Sequence, residues 1–195
     1  MVALRKRPPR RLTVDEFLEW AEDQDGLWQL RDGEPELMNP PAVPHGEILG
    51  ELGRLIGNHL RSRGSPCRVV VGPGVIPNLR SDHNMVVPDL AVTCAPPSAA
   101  RALAEPVLLI EILSPSNERQ TRANVWAFAS IPSVQEILLI GSIRIGAELL
   151  RRRPDGAWPE QPEALGPADT LRLESIGFAA PMRDAYATTV LGAGG

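Results

Sequence analysis

The sequence predicts a mixed α/β fold, of the α+β kind with a mixed sheet, carrying an N-terminal hairpin and extra C-terminal β-strands. Three observations predict it. Short apolar runs bounded by turn residues indicate buried strands, two longer segments repeat apolar residues at helical spacing, and the two signals alternate through the middle of the chain. At 195 residues the chain is long enough for a substantial core. We expect a basic flexible tail at 1–11 and a single domain over 12–195.

The basic residues are unevenly spread along the chain. Arg5, Lys6, Arg7, Arg10 and Arg11 all stand in the tail, although the whole chain has a formal net charge of −4. The remainder is therefore acidic, which does not suggest a surface coated for nucleic acid. Lys6 is the only lysine, so a mechanism that needs a lysine in the folded body is excluded.

The N-terminal third is predicted to form a helix, a hairpin and a longer helix. Thr13 and Glu16 have the spacing of a capping box, which opens a short first helix. Asp32-Gly33 supplies the turn of a hairpin over 27–38. The longer helix, over about 44–63, follows from an apolar stripe at helical period: Ile48, Leu49, Leu52, Leu55, Ile56 and Leu60.

The rest of the chain is predicted to contain buried strands and one more helix. That helix covers about 118–129, and Asn117 is its expected N-cap. Turn residues and apolar runs place the strands at 67–71, 74–79, 86–92, 107–113, 136–140, 145–150 and, after a turn at 154–156, at 171–178.

The two cysteines, Cys67 and Cys94, are too few for a disulfide framework or a zinc site. We expect them to be buried, reduced thiols of a cytoplasmic protein. No apolar stretch approaches the length of a membrane span, so no membrane partner is expected, and the basic start lacks the apolar core of a signal peptide.

Two carboxylates, Asp89 and Glu111, stand on or beside two of the predicted strands, with room between them for a hairpin loop. Glu111 interrupts an apolar run that is typical of a strand buried on both faces, where a carboxylate is costly unless a cation compensates it. Mg²⁺ takes hard oxygen ligands and usually one or two protein carboxylates. The pair therefore indicates a divalent-metal site. The alternative is two unrelated acids that face solvent at strand ends.

Five short phrases of the chain match a known pattern: Thr13-Val14-Asp15-Glu16-Phe17-Leu18, Leu30-Arg31-Asp32-Gly33-Glu34, Pro44-His45-Gly46, Val87-Pro88-Asp89-Leu90 and the fairly specific Ile110-Glu111-Ile112-Leu113-Ser114-Pro115-Ser116. With these phrases the chain resembles the Uma-two family of bacterial proteins, which has the restriction-endonuclease-like fold with the PD-(D/E)XK nuclease motif. The resemblance covers roughly residues 12 to 140, and it implies a restriction-endonuclease-like core. It transfers fold better than activity.

The resemblance implies metal ligands at Asp89 and Glu111, Mg²⁺ or Mn²⁺ as cofactor, and nucleic acid, first of all DNA, as partner. Three positions depart from the family pattern. Leu113 stands where the general motif has a lysine, Asn124 is the nearest match to the lysine of the following helix, and Gln29 occupies a hairpin position that is often glutamate. Two charged members of the usual site are therefore neutral in this chain.

His45 is a further candidate for the site. At about 100° per residue it lies over the centre of the apolar stripe of the 44–63 helix, in the first turn, so it points toward the sheet. Glu47 and Glu51 fall on the opposite, solvated side. The alternative for His45 is a capping or core histidine with a satisfied ring.

Arg122 is the candidate cation. With Val125 and Ala129 taken as the inward centre of the 118–129 helix, Arg122 falls on the same side. There it can neutralise Glu111 or hold a phosphate bidentately, although it does not readily release a proton. The alternative is an ordinary salt bridge or a solvated side chain.

Two functional hypotheses follow. The first is a metal-dependent endonuclease that hydrolyses phosphodiester bonds, with Asp89 and Glu111 on the metal and with His45 or Arg122 stabilising charge. The second is a non-catalytic module that binds nucleic acid or protein on the same fold. The missing lysine and the acidic body favour weak or lost activity, and the acid pair favours an active site. The oligomeric state is left open, with a homodimer as one alternative.

Overall fold

The structure is a computed structural model, and it describes residues 10–115 and 118–193. Residues 1–9 of the predicted tail and the expected cap Asn117 lie outside the described residues. Within them, the helices are α1 (Val14–Glu22), α2 (Val43–Ser62) and α3 (Glu118–Ala129). The strands are β1 (Trp28–Arg31), β2 (Glu34–Leu37), β3 (Arg68–Val71), β4 (Leu90–Thr93), β5 (Pro106–Leu113), β6 (Glu136–Gly141), β7 (Ala147–Arg151), β8 (Glu163–Leu165), β9 (Thr170–Leu173) and β10 (Phe178–Pro181).

The predicted N-terminal elements are confirmed. Thr13 and Glu16 form a full capping box, in which each side chain accepts the backbone N–H of the other residue. β1 and β2 pair antiparallel around the turn at Asp32-Gly33, where both residues have positive φ. Backbone hydrogen bonds between Leu30 and Met85 join this hairpin to the chain segment that leads to Asp89.

The central sheet has six strands in the order β3-β4-β5-β6-β7-β8. β5 and β6 are parallel, and the other neighbouring pairs are antiparallel. The parallel pair requires a crossover, and α3 provides it. The predicted mixed α/β fold, with an N-terminal hairpin and additional C-terminal strands, is confirmed.

The two long helices cover opposite faces of this sheet. α2 buries Ile48, Leu52 and Ile56 in one core cluster, which also contains the alternate β5 residues Leu108, Ile110 and Ile112. α3 contributes Phe128 to a second cluster, with Leu109 from β5. Because neighbouring side chains of a strand point to opposite faces, Glu111 faces the α3 side together with Leu109.

Two predicted strands are wrong. The 74–79 segment contains no strand and makes only isolated bridges, Val75 to Val86 and Gly74 to Ala102; prolines at 73 and 77 remove backbone donors that a ladder needs. The 171–178 segment is two strands, because a 3-10 turn at Glu174–Ile176 and a left-handed Gly177 reverse the chain between β9 and β10. β8 was not predicted.

The solvated position predicted for Glu51 is also wrong. Glu51 is buried on α2 and binds Arg54 through both carboxylate oxygens, at 2.6 and 3.0 Å. This ion pair lowers the pKa of Glu51. Met182–Tyr186, near the C-terminus, packs on α2, and Asp184 of this segment acts on the charge of Arg54. A helical-wheel projection of α2 contains no information on the contacts that α2 makes with this distant segment.

The expectation of reduced, buried thiols is contradicted. Cys67 and Cys94 form a disulfide and are half-buried. The antiparallel register of β3 and β4 pairs Arg68 with Thr93, and one further step along both strands places the two cysteines opposite each other. The cytoplasmic location stays a prediction, and reduced thiols no longer support it. No helix among residues 10–115 and 118–193 combines the length and hydropathy that a bilayer span requires.

The disulfide leads to a prediction about stability. It closes a loop with a sequence separation of 27, so its reduction should lower the free energy of unfolding by about 3–4 kcal/mol. Urea melts with and without dithiothreitol measure this, and a Cys67→Ala, Cys94→Ala double variant should not respond to the reductant. Two reactive thiols in the oxidised, denatured protein would contradict the pairing.

Candidate active site

Asp89 stands immediately before β4 and is held at both carboxylate oxygens. Oδ2 accepts the backbone N–H of Ile112 at 2.7 Å, and Oδ1 lies 2.9 Å from Nε2 of His45. The β4–β5 register pairs Leu90 with Ile110, so one more step along both strands sets Asp89 opposite Glu111. Opposite residues of an antiparallel pair have neighbouring side chains. The fold therefore brings together the two acids that the sequence singled out.

Glu111 is the buried member of the pair. Only 5% of the residue is exposed, and its Oε1 accepts a hydrogen bond of 3.0 Å from Nδ2 of Asn124. Burial and the nearby charge of Asp89 raise the pKa of Glu111 well above its ordinary value, and the hydrogen bond from Asn124 opposes part of that rise. An ionised Glu111 is thus unfavourable in the protein alone.

His45 lies in the first turn of α2, buried and directed at the site, as the helical count predicts. Since a carboxylate only accepts hydrogen bonds, Nε2 is the ring nitrogen that carries the proton toward Asp89. The contact fixes the orientation of Asp89. The other two histidines bind backbone carbonyls outside this group: His59 that of Ile176, and His83 that of Leu12.

Arg122 lies elsewhere than predicted. Its guanidinium forms a bidentate pair with Glu148 at 2.7 and 2.8 Å and a third hydrogen bond to Glu118, and these contacts raise its pKa. The reason is the phase of α3. The buried residues are Thr121, Asn124 and Phe128, rather than a face centred on Val125 and Ala129. That rotation directs Asn124 at Glu111 and turns Arg122 outward, into the ordinary salt bridge that was its alternative.

Arg31 and Glu36 of the hairpin, which the sequence analysis did not name as site residues, complete it together with Gln29 and Gln120. Nη2 of Arg31 donates to Oδ1 of Asn124 at 2.9 Å, and Nε of Arg31 donates to Oε2 of Glu36 at 3.1 Å. The same Glu36 oxygen accepts Nε2 of Gln29 at 3.2 Å and Nε2 of Gln120 at 2.9 Å. The hairpin register pairs Gln29 with Glu36. The turn at 32–33 implies that pairing, so the closeness of Gln29 and Glu36 was predictable from the sequence.

Gln29 is left with an unsatisfied oxygen. Only 7% of the residue is exposed, and its Oε1 has no hydrogen-bond partner within the described residues. A buried amide oxygen without a partner is costly, so it indicates a donor or cation that the protein itself does not supply.

The residues present fit a hard divalent cation. Among residues 10–115 and 118–193, no group of three or more His, Cys, Asp or Glu side chains is arranged to hold a metal. Mg²⁺ does not require such a group, because it is usually held by one or two carboxylates and keeps several waters. Asp89 and Glu111 meet that requirement, and each oxygen of Asp89 retains a lone pair beyond its present hydrogen bond.

Comparison with known proteins gives consistent results. A family model named Uma2 and described as "Putative restriction endonuclease" matches residues 14–183. A protein of Synechocystis, "Uncharacterized protein slr1290", is 30% identical over 174 residues, which are 88% of this chain and 89% of the relative. A crystal structure described as "a putative nuclease belonging to DUF820", from Anabaena variabilis, superimposes with a TM-score of 0.71 at 20% identity, over 90% of this chain and 98% of the other. The structural match shows that the two chains share the same overall fold.

The electrostatics of Glu111 predict a stability change with pH. Its pKa is raised in the folded state, so the wild type loses stability as the pH rises above about 4.3, the unfolded value. Glu111→Gln removes the charge and offers an N–H to Asp89. We expect the variant to be more stable than wild type at pH 8 by about 1–3 kcal/mol in EDTA, with the difference shrinking toward pH 4. Urea melts across this range measure it.

The matched control for that prediction is Glu148→Gln. Arg122 lowers the pKa of Glu148, so this carboxylate stabilises the fold above its unfolded pKa and loses that effect as the pH falls. The control should therefore be less stable than wild type at pH 8, the opposite sign. A Glu111→Gln variant that loses stability at pH 8 would show that the buried charge is compensated within the protein.

Proposed function

The chain belongs to the Uma2 family of restriction-endonuclease-like proteins, and on that premise we propose that it is a metal-dependent endonuclease acting on nucleic acid, DNA first of all. The observation that carries the proposal is the buried Glu111 beside Asp89. In the described part of the chain, no guanidinium hydrogen-bonds directly to either carboxylate. Two adjacent carboxylates in a buried site are unfavourable without a cation, so a divalent metal supplies what the protein leaves out.

Asp89 and Glu111 would hold Mg²⁺ or Mn²⁺. Such an ion, when bound, neutralises charge on the phosphate and lowers the pKa of a coordinated water. His45 and the Ile112 N–H hold Asp89 in one orientation, and Asn124 does the same for Glu111. Hydrogen bonds of this kind to ligating groups orient them and tune the metal. His45 is therefore proposed as a positioning residue.

The reaction is phosphodiester hydrolysis. The oxygen of a water forms a bond to phosphorus, the bond from phosphorus to the leaving sugar oxygen breaks, the water gives up one proton to solvent, and the leaving oxygen takes one up. The role of this chain's residues is to fix the two carboxylates and to place positive charge near the non-bridging oxygens. Arg122, already held by Glu148 and Glu118, is left out of the proposed site.

The second candidate function is a non-catalytic binding module on the same fold. The observation that favours it is that Asn124, a neutral residue, contacts Glu111. Asn124 is the nearest match to the lysine of the family pattern, and it has no ammonium group that could donate a proton. On this alternative the chain binds nucleic acid or protein without cleaving it, and the acid pair is a remnant of the fold.

A plasmid-nicking series tests the endonuclease. Asp89→Asn and Glu111→Gln should each abolish Mg²⁺-dependent nicking, because each removes one of two metal ligands, and calorimetric titration with Mn²⁺ should show weaker binding in both. Glu51→Gln is the control, since Glu51 has nearly the same exposure, 7% against 5%, but faces Arg54 on α2. It should nick and bind Mn²⁺ like wild type.

The outcomes separate the two functions. Wild-type protein that neither binds Mn²⁺ nor nicks in Mg²⁺ or Mn²⁺, yet binds DNA in EDTA, would support the binding module. A variant at Asp89 that nicks like wild type would remove that residue from the site.

A further inference from the structure

We propose that Arg31, on the hairpin, is the catalytic cation of this site and that its guanidinium contacts the phosphate undergoing attack. The assignment rests on the endonuclease function proposed above and extends it, because the candidate cation from the sequence was Arg122. A transferred or cleaved phosphate gathers negative charge on its non-bridging oxygens in the transition state, and a fixed cation beside it is a large source of stabilisation.

The hydrogen-bond path places Arg31 next to the acid pair. Nη2 of Arg31 lies 2.9 Å from Oδ1 of Asn124, and Nδ2 of the same amide lies 3.0 Å from Oε1 of Glu111. One side chain therefore separates the guanidinium from the buried carboxylate. Among residues 10–115 and 118–193, Arg31 is the one guanidinium joined to Glu111 through a single intermediate.

Arg31 also retains the donors and the access that a phosphate requires. A guanidinium has five N–H donors, and its flat fork matches two phosphate oxygens. The hydrogen bonds of Arg31 use Nε and Nη2, so Nη1 makes none within the described residues. The side chain is 24% exposed, which leaves it reachable from solvent while most of it is packed. Arg122 differs, because Nε, Nη1 and Nη2 are all occupied by Glu118 and Glu148.

The hairpin fixes Arg31 in position before any substrate arrives. Glu36 orients its Nε, and Gln29 and Gln120 hold Glu36 in turn. Leu30, the residue before Arg31, exchanges two backbone hydrogen bonds with Met85, at 2.8 and 2.9 Å. A cation held this way needs little reorganisation when the charge on phosphate develops, and that condition makes electrostatic stabilisation effective.

The role is electrostatic and involves no proton transfer at Arg31. A guanidinium does not lose its proton at ordinary pH. The water therefore loses its proton and the leaving oxygen gains one without Arg31 taking part. Arg31 contributes only charge and directed N–H groups, so a lysine at the same position retains the charge and loses the bidentate geometry.

The test compares Arg31→Gln and Arg31→Lys with wild type in Mg²⁺-dependent nicking. Arg31→Gln should lower kcat by about 10²–10³-fold, and Arg31→Lys should fall between the two. Affinity for a labelled DNA duplex in EDTA, measured against salt, gives a readout independent of turnover. Loss of one phosphate contact should reduce the slope of log K against log salt by about 0.9. Mn²⁺ affinity should be unchanged, since Arg31 is not a ligand.

The control is Arg54→Gln, which removes a guanidinium that pairs with a glutamate on α2 and makes no contact with Asn124 or Glu36. It should match wild type in kcat and in salt slope. Equal kcat for Arg31→Gln and wild type would overturn the assignment. So would a fall in Mn²⁺ affinity with an unchanged salt slope, which indicates that Arg31 only positions Asn124 and Glu111. A loss with Arg122→Gln as large as that expected for Arg31→Gln would return the role to Arg122.

Failure of the proposed function gives a different result. Wild-type protein without metal-dependent nicking removes the endonuclease and Arg31's catalytic role together, whereas active wild type with an active Arg31→Gln variant removes only the role of Arg31.

Discussion

The burial of Glu111 beside Asp89 is the constraint on which the rest of the site depends. Burial raises the pKa of Glu111, and the neighbouring charge of Asp89 raises it further. Every neighbour of the pair compensates part of this cost with a hydrogen bond: the His45 ring, the Ile112 N–H and the Asn124 amide. None of these three donors is a guanidinium or an ammonium, and the pKa of Glu111 stays raised, so the compensation is incomplete. In the function proposed above, a divalent cation supplies the remaining compensation.

The sheet topology produces this geometry. Antiparallel pairing of β4 with β5 sets Asp89 opposite Glu111, and the parallel step from β5 to β6 requires α3 to cross over the same face. Asn124 then lies above Glu111 as a consequence of the crossover. α2 covers the other face and brings His45 to the strand ends from its first turn. Thus Asp89, Glu111, Asn124 and His45 come from four separate segments of the chain, and the sheet fixes their relative positions.

The hairpin gives the site its positive charge. Asn124 stands on α3 at the position that the family pattern gives to a lysine. It donates a hydrogen bond to Glu111 and accepts one from Arg31 on β1. The carboxylate that anchors this cation is Glu36, which accepts three donors on one oxygen. The resemblance to the Uma-two pattern implied a site with two charges missing, at Gln29 and Asn124. The structure has a cation, Arg31, and a carboxylate, Glu36, at neighbouring positions of the hairpin instead.

The sequence by itself determined the elements and the acid pair. Helical period, capping residues and turn pairs are local signals within ten to twenty residues, so α1, the hairpin, α2 and α3 were predictable. The burial of Glu111 was predictable in the same way, from the apolar run around it. Only the tertiary structure decided what depends on packing between distant segments. The contact of Arg31 with Asn124 joins residues 93 apart, the rotation of α3 about its axis is set by the sheet beneath it, and α2 packs against a segment near the C-terminus. The Cys67–Cys94 disulfide likewise follows from strand register. No local pattern contains these contacts, because their energies arise only after the elements have met.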